Sequence, residues 1–255
     1  MSLPLRYPRS PMAWAAATTL ASLVVLARPA HRRPRRLRPG QPGHPADYHL
    51  ILPGDWRERP DTRAAVAWRQ EPARRAGLTA HPERLRYEWT PRAGLPAPST
   101  RLRFTPEPDD EVSVDLFRQV LAGSLDTASR AEADRVGDEA QAREDVVFYR
   151  DTMLGDRTWW RVARTPAGGD PVGFGLPSRN HASPVVGYLG VLPAHRGHGY
   201  ATDILAEITR LIATETTPAP AHIRADTDLT NTPMSTALTR LQYHNTTRRL
   251  ILSTS

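Results

Sequence analysis

The chain has 255 residues, 39% of them apolar, with 25 prolines, no cysteine and 34 basic residues, all of them arginine. The missing cysteine excludes disulfides, a catalytic thiol and thiolate metal ligands, and the length allows one or two domains with one sizeable core. The net charge of +7 is local: residues 1–40 hold eight arginines and no acid, whereas residues 101–255 hold 17 arginines against 20 acids, so the high isoelectric point belongs to a tail.

In chain order, the first feature is an apolar run of 16 residues from Met12 to Ala27. It is short for a spanning helix, which needs roughly 20 residues. Arg6 and Arg9 before it resemble the basic start of an export signal, but the arginine cluster Arg28–Arg38 that follows opposes export and favours the cytoplasmic side. Residues 1–40 are compatible with a disordered or mis-started extension, with membrane association, or with contact to nucleic acid. No aromatic residues interleave the arginines, so a stacking platform for nucleic acid is not indicated. Residues 41–45 read as a Pro/Gly linker.

Residues 41–99 form an accessory segment. It has a strand at Tyr48–Leu52, a helix from Asp61 to Ala76 with Gly77 just past its end, and an alternating strand at Leu85–Trp89. Residues 100–255 form the main domain. Leu102–Phe104 begins a strand, and Asp109 or Asp110 caps a helix through Val112, Leu116, Phe117, Val120 and Leu121. A more polar helix follows over Ser129–Met153. Strands are predicted at Thr158–Ala163, Val172–Leu176, 185–192, His222–Asp228 and Arg248–Leu252, with helices at 200–214 and Thr232–Leu241.

Between the strand 185–192 and the helix 200–214 lies Val191-Leu-Pro-Ala-His-Arg-Gly-His-Gly-Tyr-Ala-Thr202. A glycine-bearing loop that opens a helix aims several N–H groups at one spot beside the positive end of the helix dipole, and a diphosphate is its natural guest. Two other phosphate-loop patterns do not fit: there is no lysine for a Gly-Lys-Ser/Thr ending, and the third glycine of Gly-x-Gly-x-x-Gly is replaced by Thr202. Arg196, Gly199 and Ala201, with Val191-Leu-Pro193 upstream, resemble the acetyl-coenzyme A signature of the GCN5-related N-acetyltransferases.

The resemblance covers about 150 residues. It implies a mixed α/β fold, a mostly antiparallel sheet flanked by helices, with the N-terminal segment as an accessory. It also implies acetyl-CoA as co-substrate, no metal, an amine acceptor and a cytoplasmic enzyme. Leu189, Gly190 and Val191 would line the pantetheine arm, and the N–H groups of Gly197, His198, Gly199, Tyr200, Ala201 and Thr202 would cradle the diphosphate. Arg196 would position the loop and offset some charge, or else be a solvated surface arginine. His195 and His198 read as exposed loop residues rather than catalysts.

Asn231 matches the family's asparagine near the cofactor and the chemistry. Leu238 stands where the family commonly has a tyrosine acid, and Gln242-Tyr243 stands where Gly-Phe is expected. Tyr243 then reads as a packed aromatic. Arg224, Asp226 and Asp228 share one strand face by period-two alternation, and Asp228 is the candidate base, with a structural cap as its alternative. The reaction implied is direct attack of an amine on the thioester. The alternative, favoured by Leu238, is a non-catalytic acyl-CoA-binding protein.

Overall fold

A computed structural model describes residues 25–27, 48–75, 77–80, 82–166 and 169–253. The apolar run and arginine cluster of residues 1–40 therefore lie outside the described residues, apart from 25–27. The chain divides into two compact units: residues 1–81 with 247–255, and residues 82–246.

The smaller unit contains β1 (Val25–Ala27), β2 (Tyr48–Pro53), α1 (Pro60–Arg75) and β3 (Thr79–Ala80). The last strand of the chain, β10 (His244–Ser253), enters this unit at residue 247 and pairs antiparallel with β2 and β3. Alternation puts Leu50, Leu52, Leu250 and Leu252 on one face, where they meet Trp56, Val66 and Ala73 in a core.

The larger unit holds β4 (Arg84–Trp89), β5 (Arg103–Pro106), β6 (Arg161–Arg164), β7 (Pro171–Arg179), β8 (Pro184–Val191) and β9 (Ile223–Asp228). Their order in the sheet is β4-β9-β8-β7-β6-β5. Every neighbouring pair is antiparallel except β8 and β9, which run parallel. Parallel neighbours need a crossover, and α5 (Tyr200–Glu215) supplies it. The remaining helices are α2 (Asp110–Leu121), α3 (Thr127–Val136), α4 (Asp138–Val147) and α6 (Thr232–Arg240). Sequence reading places Leu85–Trp89 in the accessory segment; the strand instead pairs with β9 along its whole length. The predicted single helix over Ser129–Met153 is two helices, broken where Gly137 adopts φ 91°.

Two cores hold this sheet between helices. On one, Ile204, Leu205, Ile208 and Ile212 of α5 recur at helical spacing and pack with Trp89, Ile223, Ala237 and Leu238. Each such side chain, fully buried, contributes about 1.5–3 kcal/mol. On the other, Val114, Phe117 and Val120 of α2 meet Ala142, Val146, Phe174 and Leu176. The helices approach the sheet closely at glycines: a Cβ on Gly175 would lie 2.6 Å from Ile208 Cδ1, and one on Gly190 would lie 2.7 Å from Val120.

Candidate functional site

The parallel pair β8 and β9 is joined at one register position, Val185↔Arg224, near the start of both strands. The rest of β8 keeps its antiparallel register with β7 as far as Val191↔Gly173. From Val186 onward the two parallel strands thus separate, and this opens an edge inside a sheet. Burial records the opening. β7 is buried from Val172 to Ser178, whereas β8 is buried only at Gly190. A register shift in the β7–β8 pair falls at Gly187, whose carbonyl accepts a hydrogen bond from the Tyr149 hydroxyl at 2.7 Å.

The glycine loop leaves the end of β8 and starts α5. Gly197 and Gly199 have φ of 83° and 78°, values that a side chain disfavours. Gly199 is the N-cap residue and α5 has no side-chain cap. A Cβ on Gly197 would meet nothing within 4 Å, so the space over the loop is open. Leu189, Gly190 and Val191 lie on the separated part of β8.

Arg196 is engaged with backbone carbonyls. Its guanidinium donates to the carbonyls of Val191 (3.1 Å), Val120 (2.9 Å), Ala122 (2.8 Å) and Gly123 (3.0 Å). It thereby satisfies carbonyls that the end of α2 leaves without helical partners and complements the negative end of that helix. Of the two roles open to Arg196 in the sequence, this arrangement fits the positioning one. A second clamp was not legible in the sequence. Arg101 donates to the His198 carbonyl at 2.8 Å, lies over the Tyr200 ring at 5.3 Å and pairs with Asp203, which also accepts from Ser99 Oγ at 2.7 Å. His198 is exposed, stacks on Tyr200 and turns Nδ1 toward the carbonyls of His195 and Arg196.

At the end of β9, Asp228 is 2% exposed. One of its oxygens accepts from the Thr127 N–H at 2.7 Å and the other lies 3.4 Å from Arg84 Nε. Arg84 also donates to Asp126 at 2.9 Å. Burial opposes ionisation of Asp126, but Arg84 and the Ser129 N–H hold its carboxyl below the usual range. Arg224 bonds Glu88 at 2.8 Å, and Asp226 takes both ends of Arg86 at 2.9 and 3.0 Å.

Asn231 is the N-cap of α6, its side-chain oxygen accepting from the Met234 N–H at 3.2 Å. Leu238 is 1% exposed and belongs to the core. Tyr243 is equally buried, and its hydroxyl is 2.8 Å from Thr209 Oγ1, which fits the packed aromatic read from the sequence. Gln242, in the family's glycine position, has φ 60°.

A further group sits opposite β8, on α4. Asp145 is half-buried, and among the described residues its one side-chain hydrogen bond comes from Gln141 Nε2 at 3.1 Å. Burial pushes its carboxyl up to about 7, against the pull of the Gln141 bond and with the help of the negative charges of Asp126, Glu144 and Glu132. Burial also raises the hydroxyls of Tyr149 and Tyr188, and the Asp145 charge adds to both. Sequence reading passes over Asp145 because it lies in a polar helix without a motif.

No protein-family model and no curated protein sequence matches the chain. Among solved structures the chain is similar to a GCN5-related N-acetyltransferase from Sphaerobacter thermophilus. That match has a TM-score of 0.53 and 13% identity, and covers 82% of this chain and 59% of the other. A Drosophila protein matches with a TM-score of 0.51 and 13% identity over 75% of this chain and 58% of its own. The glucosamine N-acetyltransferase region of a fungal multi-domain β-N-acetylglucosaminidase matches at 0.50 and 15%, over 93% of this chain and 26% of that one. The chain thus spans under two thirds of the length of each of these structures. At these identities the likeness shows the fold, which is that of the GCN5-related N-acetyltransferases.

Proposed function

We propose that this chain transfers an acetyl group from acetyl-CoA to a primary amine of a small molecule or peptide by direct attack. The observation that carries the reading is the separation of β8 from β9 beside a helix that starts without a side-chain cap. A separated strand edge offers backbone groups to an extended amide-bearing arm such as pantetheine, along Leu189, Gly190 and Val191. The loop N–H groups from Gly197 to Thr202, with the positive end of α5, suit a diphosphate. A Cβ on Gly197 would meet nothing within 4 Å, so no protein atom crowds the loop at that point. Arg196 and Arg101 hold the loop by its carbonyls, which keeps its N–H groups turned to the ligand.

In this reading Asp228 acts by position. Its two engaged oxygens tie the end of β9 to the start of α3. Asn231 fixes the start of α6. With Leu238 in the core, α6 offers no tyrosine hydroxyl to the departing sulfur. A thiolate is a good leaving group, and water can protonate it. No helix among the described residues is long and apolar enough to cross a membrane.

The buried Leu238 also favours a second reading, a non-catalytic acyl-CoA sensor. Calorimetric titration of the full chain with acetyl-CoA, followed by a free-thiol assay against primary amines, separates the two. Micromolar binding with thiol release supports the enzyme. Binding without release from any amine supports the sensor, and no binding defeats both.

A further inference from the structure

Asp145 is an unusual acid in this chain. Two of the acids whose charge reaches it are paired, Asp126 with Arg84 and Glu132 with Arg135, and on the sheet Asp228 shares Arg84, Asp226 holds Arg86 and Glu88 holds Arg224. None of the ion pairs among the described residues includes Asp145, although it is half-buried. The groups whose charge it feels are Asp126 before α3, Glu132 on α3, Glu144 on its own helix, and the hydroxyls of Tyr149 and Tyr188. Arg84, the nearby cation, is already held by two carboxylates.

A second acceptor stands next to it. Gln141, one helical turn earlier on the same face, is 7% exposed and turns Nε2 to Asp145, which leaves Oε1 buried without a hydrogen-bond partner. A buried amide oxygen with no donor is costly. The pair therefore offers an anionic and a neutral acceptor side by side and supplies no cation of its own.

The position of this pair is fixed by Tyr149, one turn after Asp145, whose hydroxyl bonds the Gly187 carbonyl. Gly187 and Tyr188 lie just past Val185, where β8 has left β9. The Tyr149 and Tyr188 ring centroids are 6.3 Å apart, and Phe117 lies 4.5 Å from Tyr188. Asp145 and Gln141 thus sit on the helix that leads into Tyr149, whose hydroxyl reaches β8 just past the point where it leaves β9 and whose ring joins Phe117 and Tyr188.

We propose that the acceptor's primary ammonium docks on the Asp145 carboxylate and Gln141 Oε1, and that Asp145 takes its proton. The inference rests on the acetyl-transfer reading above. An ammonium has three donors and supplies both missing partners. The ammonium gives one proton to Asp145. The freed nitrogen lone pair forms the C–N bond at the thioester carbonyl carbon, and the C–S bond breaks with its electron pair leaving on sulfur. The nitrogen's surplus proton goes to that thiolate through water, so the products are an amide, the free thiol and one proton passed from Asp145 to solvent. Burial and the surrounding acids raise the carboxyl into the range where it can accept a proton near neutral pH.

The test uses the full chain as wild type, Asp145→Asn and Gln141→Leu. Three measurements are made: acetyl-CoA affinity by calorimetry; thiol release from pH 6 to 9 with glucosamine, spermidine and a lysine-bearing peptide; and the midpoint of the Asp145 carboxyl by carbon-13 NMR. The expected results are equal acetyl-CoA affinity in all three proteins and a wild-type rate that rises through a midpoint near 7. Asp145→Asn should lose at least 100-fold in kcat along with that midpoint. Gln141→Leu should raise the amine KM about tenfold with kcat within a factor of two. Wild-type-like turnover in Asp145→Asn overturns the proposal, as does acetyl-CoA binding with no thiol release from any of the three amines. Failure of the wild type to bind acetyl-CoA defeats the transferase reading instead. In that case a carboxyl midpoint near 4 overturns this proposal as well, and one near 7 upholds the unpaired acid on which it stands.

Discussion

The two sides of the β8–β9 cleft use arginine in opposite ways. At the glycine loop, Arg196 and Arg101 turn to backbone carbonyls, and the site they frame is made of N–H groups. Across the cleft, Arg84 is shared between Asp126 and Asp228, and none of the ion pairs among the described residues includes Asp145. On the proposed reading, one side holds negative charge with backbone and the other receives positive charge with side chains. A chain so rich in arginine shows its sites by where arginine is aimed elsewhere and where it is missing.

The comparison can be broken from either side. The largest loss of stability is expected from Asp228→Ala, which strips the Thr127 N–H of its acceptor and leaves Arg84 with Asp126 alone; about 3–4 kcal/mol should disappear in chemical denaturation. Acetyl-CoA affinity should stay within a factor of two, because the loop side is untouched. Gly199→Glu should do the reverse, weakening acetyl-CoA at least 100-fold in calorimetry, about 2.7 kcal/mol. It fills the proposed diphosphate space, adds a negative charge and places a side chain at φ 78°. Retained affinity would remove the loop as the diphosphate site. Arg196→Ala should cost about 2–3 kcal/mol of stability, since four carbonyls lose a charged donor, and should weaken acetyl-CoA about tenfold.

Asp145→Asn sharpens the other half. A carboxyl held near 7 in the folded chain, against about 3.9 unfolded, binds its proton more tightly when folded. Its contribution is whole below about pH 4 and is lost as the pH rises through 7. The variant should lack this loss and so exceed the wild type by about 1–2 kcal/mol at pH 8, allowing for screening of a partly exposed group. Thermal unfolding at pH 5 and pH 8 measures the crossover. Gln242→Gly, remote from both sides, should stabilise by about 0.5–1 kcal/mol by relieving φ 60°.

The loop was legible because its information is local. Val191, Pro193, Arg196, Gly199 and Ala201 fall within 11 consecutive positions, and the strand and helix around them show in their own periodicities. The partners of Arg196 on α2 and just past it were not legible, since they lie more than 70 residues away. The same limit hid the pairing of β4 with β9, which assigns residues 84–89 to the larger unit. Asp145 was hidden for another reason: sequence shows which charges exist but not which of them go unpaired. Gly137, in contrast, was a readable break, a glycine between two helix-forming runs, that a continuous polar pattern masked.

Arg196 also has a thermodynamic consequence. Its guanidinium grips Val191 at the mouth of the loop and Val120 to Gly123 on α2, and three residues beyond Gly123 the chain reaches Asp126, the cap of α3 and a partner of Arg84. On the proposed reading, a ligand that stiffens the loop would pull on the same carbonyls that set the approach to the acidic side. The two substrates would then not bind independently, and by linkage each would alter the affinity of the other by the same factor.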